Sequence, residues 1–181
     1  LAYIRLLSRK GFEVVFITTS DFSDHGMLPE SVEVRTYKRY EGGSGDNFNR
    51  GQFEAYVNSA AHSMVEALAD CDACLTHDVI FLHDFVAVNW AMRMAAESLP
   101  KLNWFHWIHS APSARPQNPQ FPEAACYNGM VNSTYICVNR TDVPRIAEMF
   151  NVPQSLVVTV SNFIDPRTYL ELHPIVSEYY E

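Results

Sequence analysis

DACLTHDVIFLHDFVAVNWAMRMAAESLPKLNWFHWIHS, running from Asp72 to Ser110, is the stretch that decides the fold. Asp72-Ala-Cys-Leu-Thr76 reads as a short strand. Phe85 to Leu99 is apolar on most sides at helical spacing, with Asp84 as its N-cap candidate and Pro100 as its stop. Trp104-Phe-His-Trp-Ile108 is bulky and nearly continuous in its apolar character, the pattern of a buried strand. Strand, helix and strand in that order make a βαβ unit, which implies parallel pairing and a right-handed crossover.

The same alternation extends both ways. Upstream, Leu1, Ile4, Leu6 and Leu7 mark a half-buried helix that ends at Gly11, with Arg5, Arg9 and Lys10 on its other side. Phe12 to Thr19 is β-branched and predicts a strand covered on both faces, whereas Val32 to Tyr37 alternates and predicts an edge strand. Tyr40 to Arg50, with Gly42, Gly43 and Gly45, predicts a mobile loop, either a lid or acceptor loop or a plain linker. Gln52 to Ala69 follows a 3.6 period and predicts a long amphipathic helix. Downstream, the prolines between Ala111 and Pro122 require an irregular loop. Thr134 to Val138 predicts a strand, Asp142 to Phe150 a helix stopped by Asn151 and Pro153, and Leu156 to Val160 a last strand. The expected class is α/β, a doubly wound and mostly parallel Rossmann-like sheet.

Composition narrows the function. The 181 residues are 48% hydrophobic and 19% charged, enough for one sizeable core and one domain. Thirteen Lys and Arg against 21 Asp and Glu leave a net charge of -8, which disfavours nucleic acid as a partner. No apolar run reaches bilayer length. Four cysteines make no disulfide framework and point to a reducing, cytoplasmic setting. Cys71-x-x-Cys74 enters a strand rather than opening a helix, so core packing is its reading. Arg35, Lys38 and Arg39 read as a solvated face, with a peripheral membrane contact as the alternative. Neither a G-x-G-x-x-G after a strand nor a phosphate-binding G-x-x-x-x-G-K-[ST] occurs, and no cofactor is expected.

In an open α/β sheet, ligands bind beyond the carboxyl ends of the strands. The residues there are Thr18-Thr19-Ser20-Asp21, Thr76-His77-Asp78, His109-Ser110, Asn139-Arg140-Thr141 and Ser161-Asn162. Thr18, Thr19, Asn139 and Thr141 are read more simply as caps of following helices. His109 is not, because Pro112 denies it a helix to cap. His106 and His109 cannot share one ion on a straight strand, since residues three apart point to opposite faces. His77-Asp78 and His83-Asp84 leave a metal-assisted hydrolase open as an alternative, although no third ligand stands at a defined spacing.

Three segments carry a resemblance. Leu6 to Val15 resembles the L-x-x-x-G-H-x-V segment after the first strand of GT-B-type glycosyltransferases, with Phe12 in place of His. Trp107-Ile-His109-Ser110 is similar to the H-[DS] strand end of family 4 retaining glycosyltransferases. Val158 to Asp165 resembles their V-x-P-N-G-[IV]-D closing segment, with Ser161 for Pro and Phe163 for Gly.

The resemblance implies the N-terminal, acceptor-binding half of a two-domain enzyme that moves a hexosyl group from a nucleotide-sugar to a glycan or lipid acceptor with retention. Residues 1–165 would be that half without its first strand, 166–181 the start of the linker, and the donor domain would lie outside the chain. His109 would be catalytic, reaching toward the donor sugar or diphosphate. Asn162 would sit at the hinge, and Ser20, His77, Asp78, Ser110 and Arg140 would line the donor or acceptor sites. A non-catalytic Rossmann-like binding module is the rival reading.

Overall fold

The computed structural model describes residues 2–42, 48–110 and 118–162. They divide into two compact units: residues 2–16, 23–34 and Asn162 form the first, and residues 17–22 and 35–161 form the second. The expected acceptor loop falls largely on residues 43–47, the proline loop on 111–117 and the end of the closing segment on 163–165. These three lie outside the described residues.

In the first unit, helix α1 (Ala2–Arg9) ends where Gly11 takes φ +83°, a left-handed conformation that glycine adopts without steric cost. The Phe12 N–H then donates to the Leu7 carbonyl at 3.1 Å. The helix is held by Arg5, which donates to the Met27 carbonyl at 3.1 Å, and by the Ser8 and Ser31 hydroxyls, 2.7 Å apart. Strands β1 (Val15–Thr19) and β2 (Glu33–Tyr37) begin here and end in the second unit, paired as a two-stranded sheet. Glu33 N–H donates to Val14 O near one end and Ser20 N–H to Tyr37 O at the other, an order only a parallel pair produces. β1 is shorter than expected. Phe12 is 63% exposed, and every residue of the strand is only half-buried, so the expectation of two covered faces is not met among the described residues.

The second unit holds the main sheet, β3 (Ala73–His77), β4 (Asn103–Ile108), β5 (Ser133–Cys137) and β6 (Val157–Thr159), in the order β3-β4-β5-β6 and parallel throughout. Strand order that follows chain order, with right-handed crossovers, carries each connection over the same face. That face is the core side. Trp104, Ile108, Tyr135 and Cys137 pack there with Met64 and Leu68 of helix α2 (Arg50–Leu68), Ala91 and Ala95 of α3 (Val86–Ser98), and Ile146 and Phe150 of α4 (Val143–Phe150). α2 and α3 pack along each other, their buried alanines allowing close approach. The described residues thus form an α/β fold with parallel sheets.

Local chemistry explains most boundaries. Asn49 caps α2, its Oδ1 accepting from the Gln52 N–H at 3.0 Å. Asn151, at φ +52°, ends α4 as its sequence position predicts. Asp84 does not cap α3. It lies inside a 3-10 turn, His83–Phe85, which moves the N-cap position to Phe85, where no side-chain bond forms. The helix is therefore held by its buried face rather than by a cap. Between β4 and β5 the described connection is a five-residue 3-10 turn, Glu123–Tyr127, that the sequence pattern does not announce. Arg35 also departs from expectation. Its side chain is only 20% exposed and clamps Asp70 with bonds of 2.6 and 2.9 Å, which hold the Asp70 carboxyl well down at about 2. No helix of the described residues is long and apolar enough to cross a membrane.

Candidate functional site

Parallel pairing brings the ends of β3 and β4 to one edge, with His77 in register with Trp107. Asp78 continues the ladder one step further, its N–H donating to the Trp107 carbonyl at 2.8 Å. It then turns sharply at φ +55°, where the Val79 N–H donates back to the His77 carbonyl at 2.7 Å. Aspartate tolerates this left-handed conformation better than most side chains. Its carboxylate Oδ1 accepts the His109 N–H at 2.8 Å, so the turn after β3 also finishes the end of β4.

The two imidazoles meet at this edge. His77 Nδ1 and His109 Nε2 are 2.7 Å apart, and the ring planes differ by 11°. The 5.0 Å between ring centres matches that contact plus the two ring radii, so the rings touch edge to edge rather than face to face. Trp107, 6% exposed, lies nearly parallel to both, its ring plane 17° from that of His77 and 11° from that of His109. Loss of water around His77, and then the adjacent His109, lower its pKa, with Asp78 opposing. His77 is therefore a neutral imidazole at neutral pH.

One turn of the pleat inward, His106 is 0% exposed and doubly bonded, Nδ1 to Thr76 Oγ1 at 2.8 Å and Nε2 to Ser133 Oγ at 3.1 Å. The Ser133 hydroxyl donates its proton to the Val131 carbonyl, so it accepts from His106 Nε2–H. Nδ1 then accepts from Thr76. Burial, and secondarily Arg93, hold this ring neutral with a pKa lowered to about 3. Arg93 in turn bonds Asn89 Oδ1 and the carbonyls of Asn128 and Gly129. Asn89 bonds the Ile80 carbonyl, which ties α3 to the loop after β3.

The remaining residues singled out by sequence are spread more widely. Ser110 is exposed directly after His109, and Arg140 is exposed in the turn Arg140–Asp142 after β5, on the same edge of the sheet. Ser20 is exposed in the turn after β1, its N–H bonded to Tyr37 O. Asn162 is exposed and belongs to the first unit. The structure therefore brings together His77, Asp78 and His109. Trp107 was missed by sequence reasoning because a bulky strand residue signals core, and only register shows that it flanks both rings.

Among the described residues, no three His, Cys, Asp or Glu side chains converge to hold a metal ion. The four cysteines are free. Cys74 is pushed up to about 12 by burial, which makes it an inert packing group. What the edge offers is a pair of imidazoles held against each other at the ends of two parallel strands. Comparison with models of known protein families finds no match, and neither does comparison with curated proteins.

Proposed function

We propose that the chain is the acceptor-side, Rossmann-like half of a retaining GT-B-type glycosyltransferase, one that moves a hexosyl group from a nucleotide-sugar to a glycan or lipid acceptor. The observation that carries this reading is the position of His109. It stands half-buried just beyond β4, its backbone fixed by Asp78 and its ring by His77. Retaining transfer passes through an oxocarbenium-like state while negative charge builds on the departing diphosphate. A ring N–H held in place before the reaction stabilises that charge at no cost of reorganisation.

Two further features support it. The strand orders β1-β2 and β3-β4-β5-β6 are those expected of the two wings of a doubly wound sheet. A recess of about 530 Å³ is lined by Lys38, Tyr40, Gln52, Tyr56, Ser59 and Ser63, among others. Hydroxyl and amide groups of this kind suit a polyhydroxylated acceptor. Among the described residues, the Tyr40 and Tyr56 hydroxyls beside it are buried without a hydrogen-bond partner, a penalty of about 1–3 kcal/mol each.

The test is His109→Ala in the enzyme that carries this chain, assayed as nucleoside diphosphate release from a panel of nucleotide-hexoses with glycan and lipid acceptors. Turnover falls by on the order of a hundredfold or more while the fold is kept. Turnover at the wild-type rate rules out the role.

A further inference from the structure

We propose that the acceptor is a glycan rather than a lipid, and that Lys38, Glu41, Gln52, Ser59 and Ser63 bind its hydroxyls. The inference rests on the reading of the recess beside α2 as the acceptor site, although its saccharide-binding part stands without glycosyl transfer. The recess lies between the segment that leaves β2 and one face of α2. Gln52, Tyr56, Ser59 and Ser63, spaced four, three and four residues apart, share that face. Lys38 and Glu41 line the recess from the other segment. The fold does not use these five side chains. Among the described residues, none of them makes a hydrogen bond or an ion pair. Ser98 on α3 shows the contrast, its hydroxyl donating to the Met94 carbonyl at 3.2 Å, a common bond of a helical serine. Arg39 also lines the recess, but its guanidinium is paired with Asp21 at 3.2 Å.

The chemistry of the set selects the ligand. An ammonium only donates, a carboxylate only accepts, and the amide and the two hydroxyls do both. A sugar hydroxyl also donates and accepts, so one polyhydroxylated molecule can satisfy every member. An acyl chain satisfies none, and would take these polar groups from water without replacing their hydrogen bonds. The opposite charges of Lys38 and Glu41 give the recess no preference for a charged headgroup over a neutral sugar. Its apolar lining is limited to two alanines and to the side chains of Tyr40 and Tyr56, whose rings pack 4.9 Å apart. The volume of about 530 Å³ falls within the range of small-molecule sites.

The experiment titrates this chain with glucose, galactose, mannose and maltose, and separately with vesicles of phosphatidylcholine and phosphatidylglycerol, while backbone amide shifts are followed by NMR. At least one saccharide shifts the amides of residues 38–42 and of Gln52, Ser59 and Ser63, with a millimolar Kd, and the vesicles do not. Lys38→Met and the double variant Ser59→Ala/Ser63→Ala each weaken that binding about tenfold. Neither lowers the midpoint of thermal unfolding, because the side chains removed are not bonded within the fold. Ser98→Ala, which removes a hydroxyl bonded within α3, leaves saccharide binding unchanged. Vesicle shifts at the same amides, no saccharide shift there, or unchanged affinity in either recess variant overturns the proposal. If saccharides bind as stated while the intact enzyme releases no nucleoside diphosphate, the glycan site stands and the glycosyltransferase reading falls.

Discussion

His106 and His109 are three residues apart, one inside β4 and one just beyond it. The first is sealed between Thr76 and Ser133, with both ring nitrogens committed to hydroxyls of neighbouring strands. The second stands at the sheet edge, fixed on one side by His77 and on the backbone by Asp78. The same side chain is thus a buried structural link in one place and a positioned polar group in the other. Pleat parity and distance from the strand end separate the two roles, not residue type.

Exchanging the test between the two sites should break this contrast if it is wrong. His109→Ala should lower turnover by on the order of a hundredfold with little change in unfolding free energy. His106→Ala should do the reverse. It costs about 3 kcal/mol in denaturant unfolding, because it opens a cavity and takes from the buried Thr76 hydroxyl its acceptor on the ring. If His106→Ala proves neutral in stability, the hydroxyl–imidazole chain does not hold the strands together.

Acid sharpens the same contrast. The folded-state pKa of His106 is depressed to about 3 from an unfolded value near 6.5, so the unfolded chain binds a proton that the fold refuses. The contribution of neutral His106 is complete above the unfolded pKa. It is lost as pH falls from about 6.5 toward 3, at about 1.4 kcal/mol per pH unit. Unfolding curves over that window should show this slope in the wild type and lose it in His106→Ala. His77 moves in the same direction and adds to the acid side, so the slope of the double variant His77→Ala/His106→Ala should be the flattest.

Asp78 joins the two strand ends, and replacements there should dissect its jobs. Asp78→Ala loses the acceptor for the His109 N–H and strains a left-handed turn, a cost of about 1–2 kcal/mol in unfolding. Asp78→Asn keeps both the oxygen and the tolerance for positive φ and should fall within about 0.5 kcal/mol of wild type. An equal loss in both variants would mean that the charge, not the bond, holds the edge. The smallest effect is expected in the recess beside α2. Tyr56→Phe removes an unpartnered buried hydroxyl, so stability should be unchanged or rise by about 1 kcal/mol. Acceptor KM should rise several-fold in the same variant. An unchanged KM would take the acceptor out of this recess.

Much of the architecture is legible in local pattern. The periodicity of Phe53, Val57, Ala60, Ala61, Met64 and Leu68 locates α2 and its buried face, and Asn151 marks the end of α4. Where reading from pattern failed, a longer-range interaction won. Asp84 looks like a cap, but the chain after β3 enters a 3-10 turn first. Arg35 looks solvated because nothing nearby in sequence reveals Asp70, 35 residues away. His109 stands out from its place between a buried strand and a proline-rich loop, whereas its partner does not.

Hydrophobic period, capping residues and turn residues are written into consecutive positions, so the chain alone dictated where helices and strands form, that they alternate, and that His109 follows a buried strand. The alliance of His77 with His109, 32 residues apart, came from the parallel register of β3 on β4. So did the sealing of His106 between Thr76 and Ser133. Register follows from which faces bury most apolar area together once the helices are packed, a property of the whole unit that no local spacing carries.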